Sequence, residues 1–266
     1  MASACMHSEI LPESLCRRHY FVGGLLKLYR KKIFLVYHVN MIKRLKNKIV
    51  VSVQAMPSEP LYLEKCMAAM MKSVVKGGAG GLRVAGVRDV RNAKKLFDIP
   101  VIGITKPDII PSNWQEIVYI TPELKDVISL AEAGADIIAF DGTQRKRPNG
   151  AKLEELIKYI KINKRVSMAD ISTLDEGLKA AELGADLLST TLSGYTMESQ
   201  GKDDGPDFEL LKELTSKTDV PVVLEGRIWE PWQVDRAFEL GAHCVVIGSA
   251  ITRPQLITKR FVQRKK

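Results

Sequence analysis

The amino-acid sequence predicts a parallel α/β barrel of eight strands, the (β/α)8 or TIM barrel. After residue 48, eight short apolar runs rich in β-branched residues recur, and their starts lie 20 to 36 residues apart. That spacing suits the strand–helix units of a parallel sheet. Segments with helical periodicity separate most of the runs, which indicates that strands and helices alternate. The runs are Ile49–Gln54, Gly81–Val84, Val101–Lys106, Ile137–Asp141, Val166–Asp170, Leu187–Thr190, Val222–Glu225 and Cys244–Ile247.

The predicted helices end at glycine residues. Residues 122–134 have apolar side chains at helical spacing, and the last of these residues is a glycine. The motif Thr173-Leu174-Asp175-Glu176 is a capping box that begins a second helix ending at Gly184, and residues 232–241 repeat the design. All three helices exit through a Gly-Ala pair. We expect these glycines to adopt the left-handed conformation that ends a helix.

A doubly wound open sheet is the alternative to a barrel. Such a sheet normally carries a glycine-rich phosphate loop after its first strand. Here the first strand is followed by Gln54-Ala55-Met56-Pro57, which contains no glycine. We therefore expect residues 41–266 to form one barrel domain, and residues 1–40, which lack a clear periodicity, to form a poorly ordered extension.

The positive charge of the chain is concentrated near its N-terminus. The net charge is +9, and residues 1–48 contribute +8 of it, from ten Lys or Arg and two Glu, so the remaining 218 residues carry +1. A nucleic-acid-binding face requires the excess charge on the folded domain. We therefore expect a small-molecule partner and no nucleic acid.

Cysteine spacing and hydropathy exclude several further classes of protein. Cys5, Cys16, Cys66 and Cys244 lie far apart and form no C-x-x-C motif, which argues against a zinc site and a disulfide framework. Residues 21–37 are apolar, but charged side chains interrupt them and no small-residue cleavage site follows. We expect no metal, no membrane span and a cytoplasmic location.

Polar residues follow the predicted strands at the end of the barrel where chemistry takes place. Lys106 ends Val101-Ile102-Gly103-Ile104-Thr105-Lys106, and Glu225 ends Pro221-Val222-Val223-Leu224-Glu225. An ionisable group beside a buried strand is costly unless it has a partner or a task. Lys106 and Glu225 are therefore candidates for a proton-transfer pair. The complete set of polar residues at strand ends is Gln54, Arg83, Lys106, Asp141, Asp170, Thr190, Thr191 and Glu225.

Glycine turns after the last two strands indicate a barrel of the phosphate-binding type. Gly226 and Arg227 follow strand 7, and Gly248-Ser249 follow strand 8. Backbone N–H groups in these loops commonly bind phosphate oxygens. Arg227 or Arg253 can add a bidentate contact.

Two other loops carry candidate contacts. Tyr195, after strand 6, either covers a ligand or packs on the barrel rim. The basic run Arg145-Lys146-Arg147, after strand 4, can bind an anion. A charge run in a loop is more typical of a solvated surface, and solvation is what we expect here.

These motifs resemble the bacterial N-acylglucosamine-6-phosphate 2-epimerases, also called N-acetylmannosamine-6-phosphate epimerases. The resemblance covers about residues 45–262. The motifs that carry it are Val53-Gln54-Ala55, Val101–Lys106, Arg145-Lys146-Arg147-Pro148, Met168–Thr173, Ser189–Thr196, Leu224–Ile228, Ala250–Pro254 and Ile257–Phe261.

The resemblance implies a cofactor-independent isomerase of sialic-acid breakdown, acting on a sugar phosphate as a homodimer. It implies that Lys106 and Glu225 are catalytic and that the substrate contacts are Gln54, Arg83, Asp170 and Arg253. Two positions depart from the family, which commonly has Gly-Gly at Gly248-Ser249 and Asp-Ala at Asp141-Gly142. A serine at position 249 would be strained if that position required a positive φ.

The implied reaction sets opposite requirements on the two catalytic residues. Inversion at C2, next to the aldehyde of the open-chain sugar, requires a neutral lysine, so the pKa of Lys106 should be lowered by burial and by Arg83. An ionised Glu225 in contact with Lys106 would raise that pKa. We therefore expect the two residues to flank the sugar. The alternatives are a barrel aldolase that forms a Schiff base at Lys106 and a non-catalytic nucleic-acid-binding barrel.

Overall fold

A computed structural model gives the structure of residues 38–201 and 205–263. Within these residues, eight parallel strands close into a barrel in sequence order, and β1 pairs with β8. The predicted fold is therefore confirmed. The strands are β1 (Ile49–Val53), β2 (Gly81–Ala85), β3 (Val101–Ile104), β4 (Ile137–Asp141), β5 (Val166–Asp170), β6 (Leu187–Ser189), β7 (Val222–Glu225) and β8 (Cys244–Ile247).

One helix follows each of the first seven strands, and two follow the last. Their bounds are α1 (Glu64–Lys76), α2 (Val87–Leu96), α3 (Leu124–Ala133), α4 (Leu153–Ile162), α5 (Leu174–Glu182), α6 (Phe208–Lys217), α7 (Pro231–Glu239), α8 (Ser249–Thr252) and α9 (Pro254–Val262). None of the helices in this described part has the length and hydropathy that a membrane span requires.

The glycine stops act as predicted. Gly134, Gly184 and Gly241 have φ values of 95°, 89° and 90°, the left-handed region that glycine enters at little cost. The Thr173–Glu176 capping box is present, because the Thr173 hydroxyl accepts the Glu176 N–H and the Glu176 carboxylate accepts the Thr173 N–H. These local signals fix where each helix ends relative to the next strand.

Apolar side chains fill both faces of the sheet. One buried cluster lies inside the barrel and includes Ile102, Ile104, Met168, Val223 and Val246. A second cluster joins the outer face of the strands to the helices. Because the strands are buried on both sides, they are near-continuous apolar runs. Because all eight strands are parallel, the polar residues at their C-terminal ends lie at the same open end of the barrel.

Most of the expected extension, residues 1–40, lies outside the residues that the structure describes, which begin at position 38. A short helical segment ending at residue 45 precedes β1. Within it, Met41 and Leu45 are buried in the cluster inside the barrel.

Candidate active site

A cavity of about 480 Å³ opens at the C-terminal end of the barrel strands. All but two of the residues predicted for the site line it, and the other two, Arg83 and Asp170, are buried and hydrogen-bonded to residues of its wall. The predicted residues lining the cavity are Gln54, Lys106, Tyr195, Glu225, Gly226, Arg227, Gly248, Ser249 and Arg253.

Lys106 is held over the barrel mouth by a short chain of hydrogen bonds. Its Nζ donates to Gln54 Oε1 at 2.9 Å, and Gln54 Nε2 donates to Ser52 Oγ at 2.7 Å. Burial lowers the pKa of Lys106 to about 8, and the positive charge of Arg83 acts in the same direction. A lysine with this pKa is partly neutral near physiological pH and can accept a proton.

Glu225 is part of a buried ionic cluster. Arg83 Nη1 donates to Glu225 Oε2 at 2.6 Å and to Asp170 Oδ1 at 3.0 Å, while Arg83 Nη2 donates to Asp170 Oδ2 at 2.5 Å. The side chains of Arg83 and Asp170 are 1% and 0% exposed. Burial opposes the charge on Arg83, but the two carboxylates outweigh it and raise the pKa of the guanidinium.

Glu225 itself is shifted toward the protonated form. Burial raises the pKa of Glu225 to about 7, with Asp170 contributing and Arg83 opposing. Among the described residues, no ion pair joins Glu225 to Lys106, since Glu225 pairs with Arg83 and Lys106 bonds to Gln54. A neutral lysine and a protonated glutamate can therefore coexist across the cavity.

Arg227 is bound to the loop after β6. Its Nε donates to Gly205 O at 2.7 Å, its Nη1 donates to Ser193 O, and its guanidinium carbon lies 5.5 Å from the centre of the Tyr195 ring. The backbone of Arg227 has a φ of 54°, an uncommon value for a residue with a side chain. The loop and Tyr195 are thus fixed against the cavity wall, and phosphate binding by Arg227 stays a prediction.

Three other predicted residues border the cavity. Arg253 precedes α9 and forms a salt bridge with Glu59, in the loop after β1. Tyr195 is 38% exposed and packs against Trp114, with ring centres 6.3 Å apart. Gly226 has a φ of 112°, which favours glycine at that turn.

Comparison with known proteins decides the family. The family model described as "Putative N-acetylmannosamine-6-phosphate epimerase" (NanE) matches residues 67–266. The chain belongs to this epimerase family. A relative in Clostridioides difficile with the printed name "Putative N-acetylmannosamine-6-phosphate 2-epimerase" is 47% identical over 223 residues, which are 84% of this chain and 98% of the relative.

Further similarities agree with membership of the NanE family. A relative of the same printed name in Caldanaerobacter subterraneus is 45% identical, over 84% of this chain and 93% of its own. The solved N-acetylmannosamine-6-phosphate 2-epimerase from Clostridium perfringens is 44% identical, with a TM-score of 0.79 over 84% of this chain and 95% of that one. A thiamine phosphate pyrophosphorylase from Pyrococcus furiosus, 16% identical with a TM-score of 0.54, shares the fold alone.

The two departures from the NanE family pattern have different structural consequences. Ser249 is the first residue of α8 and is not among the residues with positive φ, so the serine is not strained there. Gly142 is tightly enclosed, because a Cβ at this position would lie 2.8 Å from Ala169 Cβ and 3.2 Å from Asp170 O. An alanine at position 142 would require the neighbouring strand to shift.

The expectation that the basic run after β4 is solvated is wrong for two of its three residues. Arg145 Nη2 pairs with Asp141 Oδ2 at 2.7 Å, and its Nη1 donates to Gln115 O at 2.8 Å. Arg147 is buried and donates to the Asp141 carbonyl, while Lys146 alone is exposed. Asp141 at the end of β4 draws both guanidiniums inward because a buried carboxylate requires compensating charge.

Two further polar side chains belong to the site in this NanE protein: Ser52, which was not predicted, and Thr191, which was predicted only as a polar residue at a strand end. Thr191 lies between Asp170 and Glu225, and Ser52 supports Gln54. Thr191 was visible as a polar residue at a strand end, but its partners lie on other strands. Ser52 is inside β1, where a lone serine in an apolar strand is the only available signal.

Proposed function

We propose that this protein interconverts N-acetylmannosamine 6-phosphate and N-acetylglucosamine 6-phosphate by removing and restoring the proton at C2. The observation that carries this proposal is the environment of Lys106, a half-buried lysine with a lowered pKa in the cavity of a NanE-family barrel. Epimerisation at this carbon requires an unprotonated base beside the open-chain sugar, and the neutral fraction of Lys106 can serve as that base.

The chemistry follows from the acidity of C2. In the open-chain sugar this carbon is adjacent to the aldehyde, so the electrons left by the departing proton delocalise onto the aldehyde oxygen. Lys106 takes the proton, and a proton delivered to the opposite face inverts the carbon. Glu225 lines the same cavity and, with a pKa of about 7, can hold the proton that is needed for delivery or for ring opening.

The first test is turnover of N-acetylmannosamine 6-phosphate, followed by NMR in heavy water. The product is expected to carry deuterium at C2, because the proton exchanges with solvent on the base. Treatment with a chelator is expected to leave the rate unchanged, in line with a cofactor-independent reaction. Conversion without deuterium incorporation would count against the deprotonation mechanism.

A Schiff-base aldolase is the second candidate, because the lowered pKa of Lys106 favours nucleophilic attack as well as base catalysis. Borohydride reduction in the presence of substrate separates the two reactions. An aldolase would be inactivated with a covalent sugar adduct on Lys106, whereas the proposed epimerase would retain its activity.

The pH dependence of kcat/KM is expected to be bell-shaped. Activity rises as Lys106 loses its proton near pH 8 and falls as Glu225 loses its proton near pH 7, so the maximum lies between these values. Because the two pKa values are in reverse order for the active form, only about 6% of the enzyme has both groups in the required state at the optimum.

Glu225→Gln provides the control for the bell-shaped profile. The variant is expected to lose the alkaline limb, and its remaining acid limb reports the pKa of Lys106, which lies below about 8 without the charge of Glu225. If the parent enzyme keeps its full rate well above pH 8, a protonated Glu225 is not required for the reaction.

The 6-phosphate is proposed to bind at Gly226 and at Gly248-Ser249, with Arg227 or Arg253 nearby. Binding energy from this remote group can orient the reacting carbon. Unphosphorylated N-acetylmannosamine is therefore expected to have a kcat/KM lower by roughly 10³-fold, the value of two or three charge-assisted hydrogen bonds. Steady-state kinetics of the two sugars test this, and similar values would contradict the proposed phosphate site.

Four further properties are proposed together with the activity. The functional domain is residues 41–266, and the protein is a cytoplasmic homodimer that does not bind nucleic acid. The dimer is supported by exposed apolar side chains on α7 and α9, where Trp232 and Val262 are 59% and 71% exposed. Analytical ultracentrifugation measures the oligomeric state, and a monomer at micromolar concentration would contradict the proposed dimer.

A further inference from the structure

The hydroxyl of Thr191 lies at the centre of the ionic cluster. Thr191 is in the turn that follows β6, and its Oγ1 is 2.8 Å from Asp170 Oδ1 and 3.1 Å from Glu225 Oε2. Ser189 Oγ is also 2.8 Å away. The residue is partly buried and borders the cavity. No other hydroxyl among the described residues is hydrogen-bonded to both carboxylates.

A hydroxyl has one proton, so Thr191 can donate to only one of the two carboxylates at a time. When Glu225 is ionised, donation to Glu225 Oε2 stabilises the charge. When Glu225 is protonated, its own O–H can donate to Thr191, and the Thr191 proton is free to turn to Asp170. The orientation of the hydroxyl and the protonation of Glu225 are therefore coupled.

Asp170 tolerates both orientations. Arg83 holds its two oxygens at 3.0 and 2.5 Å whichever way the Thr191 proton points. Its hydrogen-bonding needs are therefore largely met when Thr191 turns away. Glu225 has a single contact to Arg83, at 2.6 Å, and therefore depends more than Asp170 does on the hydrogen bond from the Thr191 hydroxyl. The effect of the hydroxyl should consequently appear at Glu225.

We propose that Thr191 is a positioning residue whose hydroxyl turns between Asp170 and Glu225 as Glu225 releases and regains a proton during C2 inversion. No proton passes through Thr191, because Glu225 exchanges its proton with the sugar and the Thr191 O–H bond stays intact. The catalytic part of this inference rests on the proposed epimerase function.

Several other charged or titratable groups face Glu225 from the surrounding strands. They are Arg83 from β2, Lys106 after β3, Asp170 from β5 and Cys244 from β8. All four remain in place when Thr191 is changed. A matched pair of substitutions at position 191 therefore isolates the hydroxyl from the rest of the cluster.

The matched pair is Thr191→Val, which keeps the shape and removes the hydroxyl, and Thr191→Ser, which keeps the hydroxyl and removes the methyl group. Glu225 is followed by ¹³C NMR of carboxyl-labelled glutamate, with Glu225→Gln to assign its signal. In Thr191→Val, Glu225 is expected to titrate at a higher pH than in the parent enzyme, because the ionised form has lost a donor. Thr191→Ser is expected to titrate like the parent.

The kinetic readout is a decrease of about tenfold in kcat for Thr191→Val, because the Glu225 carboxyl loses a hydrogen bond that orients it, and this loss outweighs the larger protonated fraction of Glu225. KM is expected to stay within about twofold and the alkaline limb to move to higher pH. Thr191→Ser is expected to recover the parent profile.

An unchanged Glu225 titration in Thr191→Val, or equal effects of both variants, would overturn the inference. If Thr191→Val does not fold, Thr191→Ala replaces it. Absence of epimerase turnover in the parent would refute the proposed function, while the NMR comparison would still decide the coupling.

Discussion

Replacement of Lys106 with methionine is expected to abolish epimerisation and the incorporation of deuterium at C2. Methionine has a similar length but cannot accept a proton. General base catalysis contributes roughly 10²- to 10⁴-fold, and kcat should decrease by at least that factor. NMR of the sugar in heavy water measures both losses in one experiment. Exchange at C2 that persists in the variant would show that another group removes the proton.

The same substitution is expected to leave the fold intact or to stabilise it. Burial disfavours the charged form of Lys106, so the native protein bears a desolvation cost that methionine does not. Lys158→Met, at an exposed position of α4, serves as the control for the chemical change alone. We expect Lys106→Met to lose activity while its Tm stays unchanged or rises. The control variant should keep both its activity and its Tm.

Replacement of Arg83 with methionine is expected to destabilise the barrel as well as to inactivate it. The change leaves Asp170 and Glu225 buried without their shared cation. Removal of one partner of a buried ion pair costs about 3–5 kcal/mol, and that loss should appear in the free energy of unfolding from urea titration. A loss below 1 kcal/mol would show that water or another cation reaches the carboxylates. Arg91→Met, at an exposed position of α2, is the control.

The destabilisation should depend on pH with a definite sign. Arg83 opposes the rise in the pKa of Glu225, so without Arg83 the folded-state pKa of this carboxyl should rise further above the value of the unfolded chain. The penalty is then smallest at low pH, where Glu225 is protonated, and grows as the pH rises through its folded-state pKa. Adding Asp170→Asn to Arg83→Met removes one of the two charges and is expected to restore part of the stability, but not the activity.

The barrel could be predicted from the sequence because its signals are local. Each strand is a continuous apolar run, and each glycine stop is readable from a few neighbouring residues. The runs at β4, β5, β7 and β8 agree with the observed bounds, and the others differ only where Gln54, Thr105-Lys106 and Thr190 leave the strand or Ala85 joins it. Polar side chains at strand ends then identified Gln54, Lys106 and Glu225 in the cavity wall and the buried Arg83 and Asp170 beside it.

The partners inside the site could not be predicted, because they come from distant parts of the chain. Arg83 on β2 reaches Asp170 on β5 and Glu225 on β7, which are separated from it by 87 and 142 residues. A sequence shows that each residue is polar, but not which of several charges lies within reach. The same limitation explains why Arg145 was expected in solvent and why Thr191 was given no role.

The closure of β1 against β8 has a consequence for the synthesis of the protein. Ile49 pairs with Val245, and the Thr252 hydroxyl donates to the Ser52 carbonyl at 2.8 Å, so the seam joins the two ends of the barrel sequence. On the ribosome, β1 presents an unpaired edge until nearly the whole domain has been translated. Folding must therefore wait for the last strand, and the incomplete barrel is the species most exposed to aggregation and most dependent on chaperones.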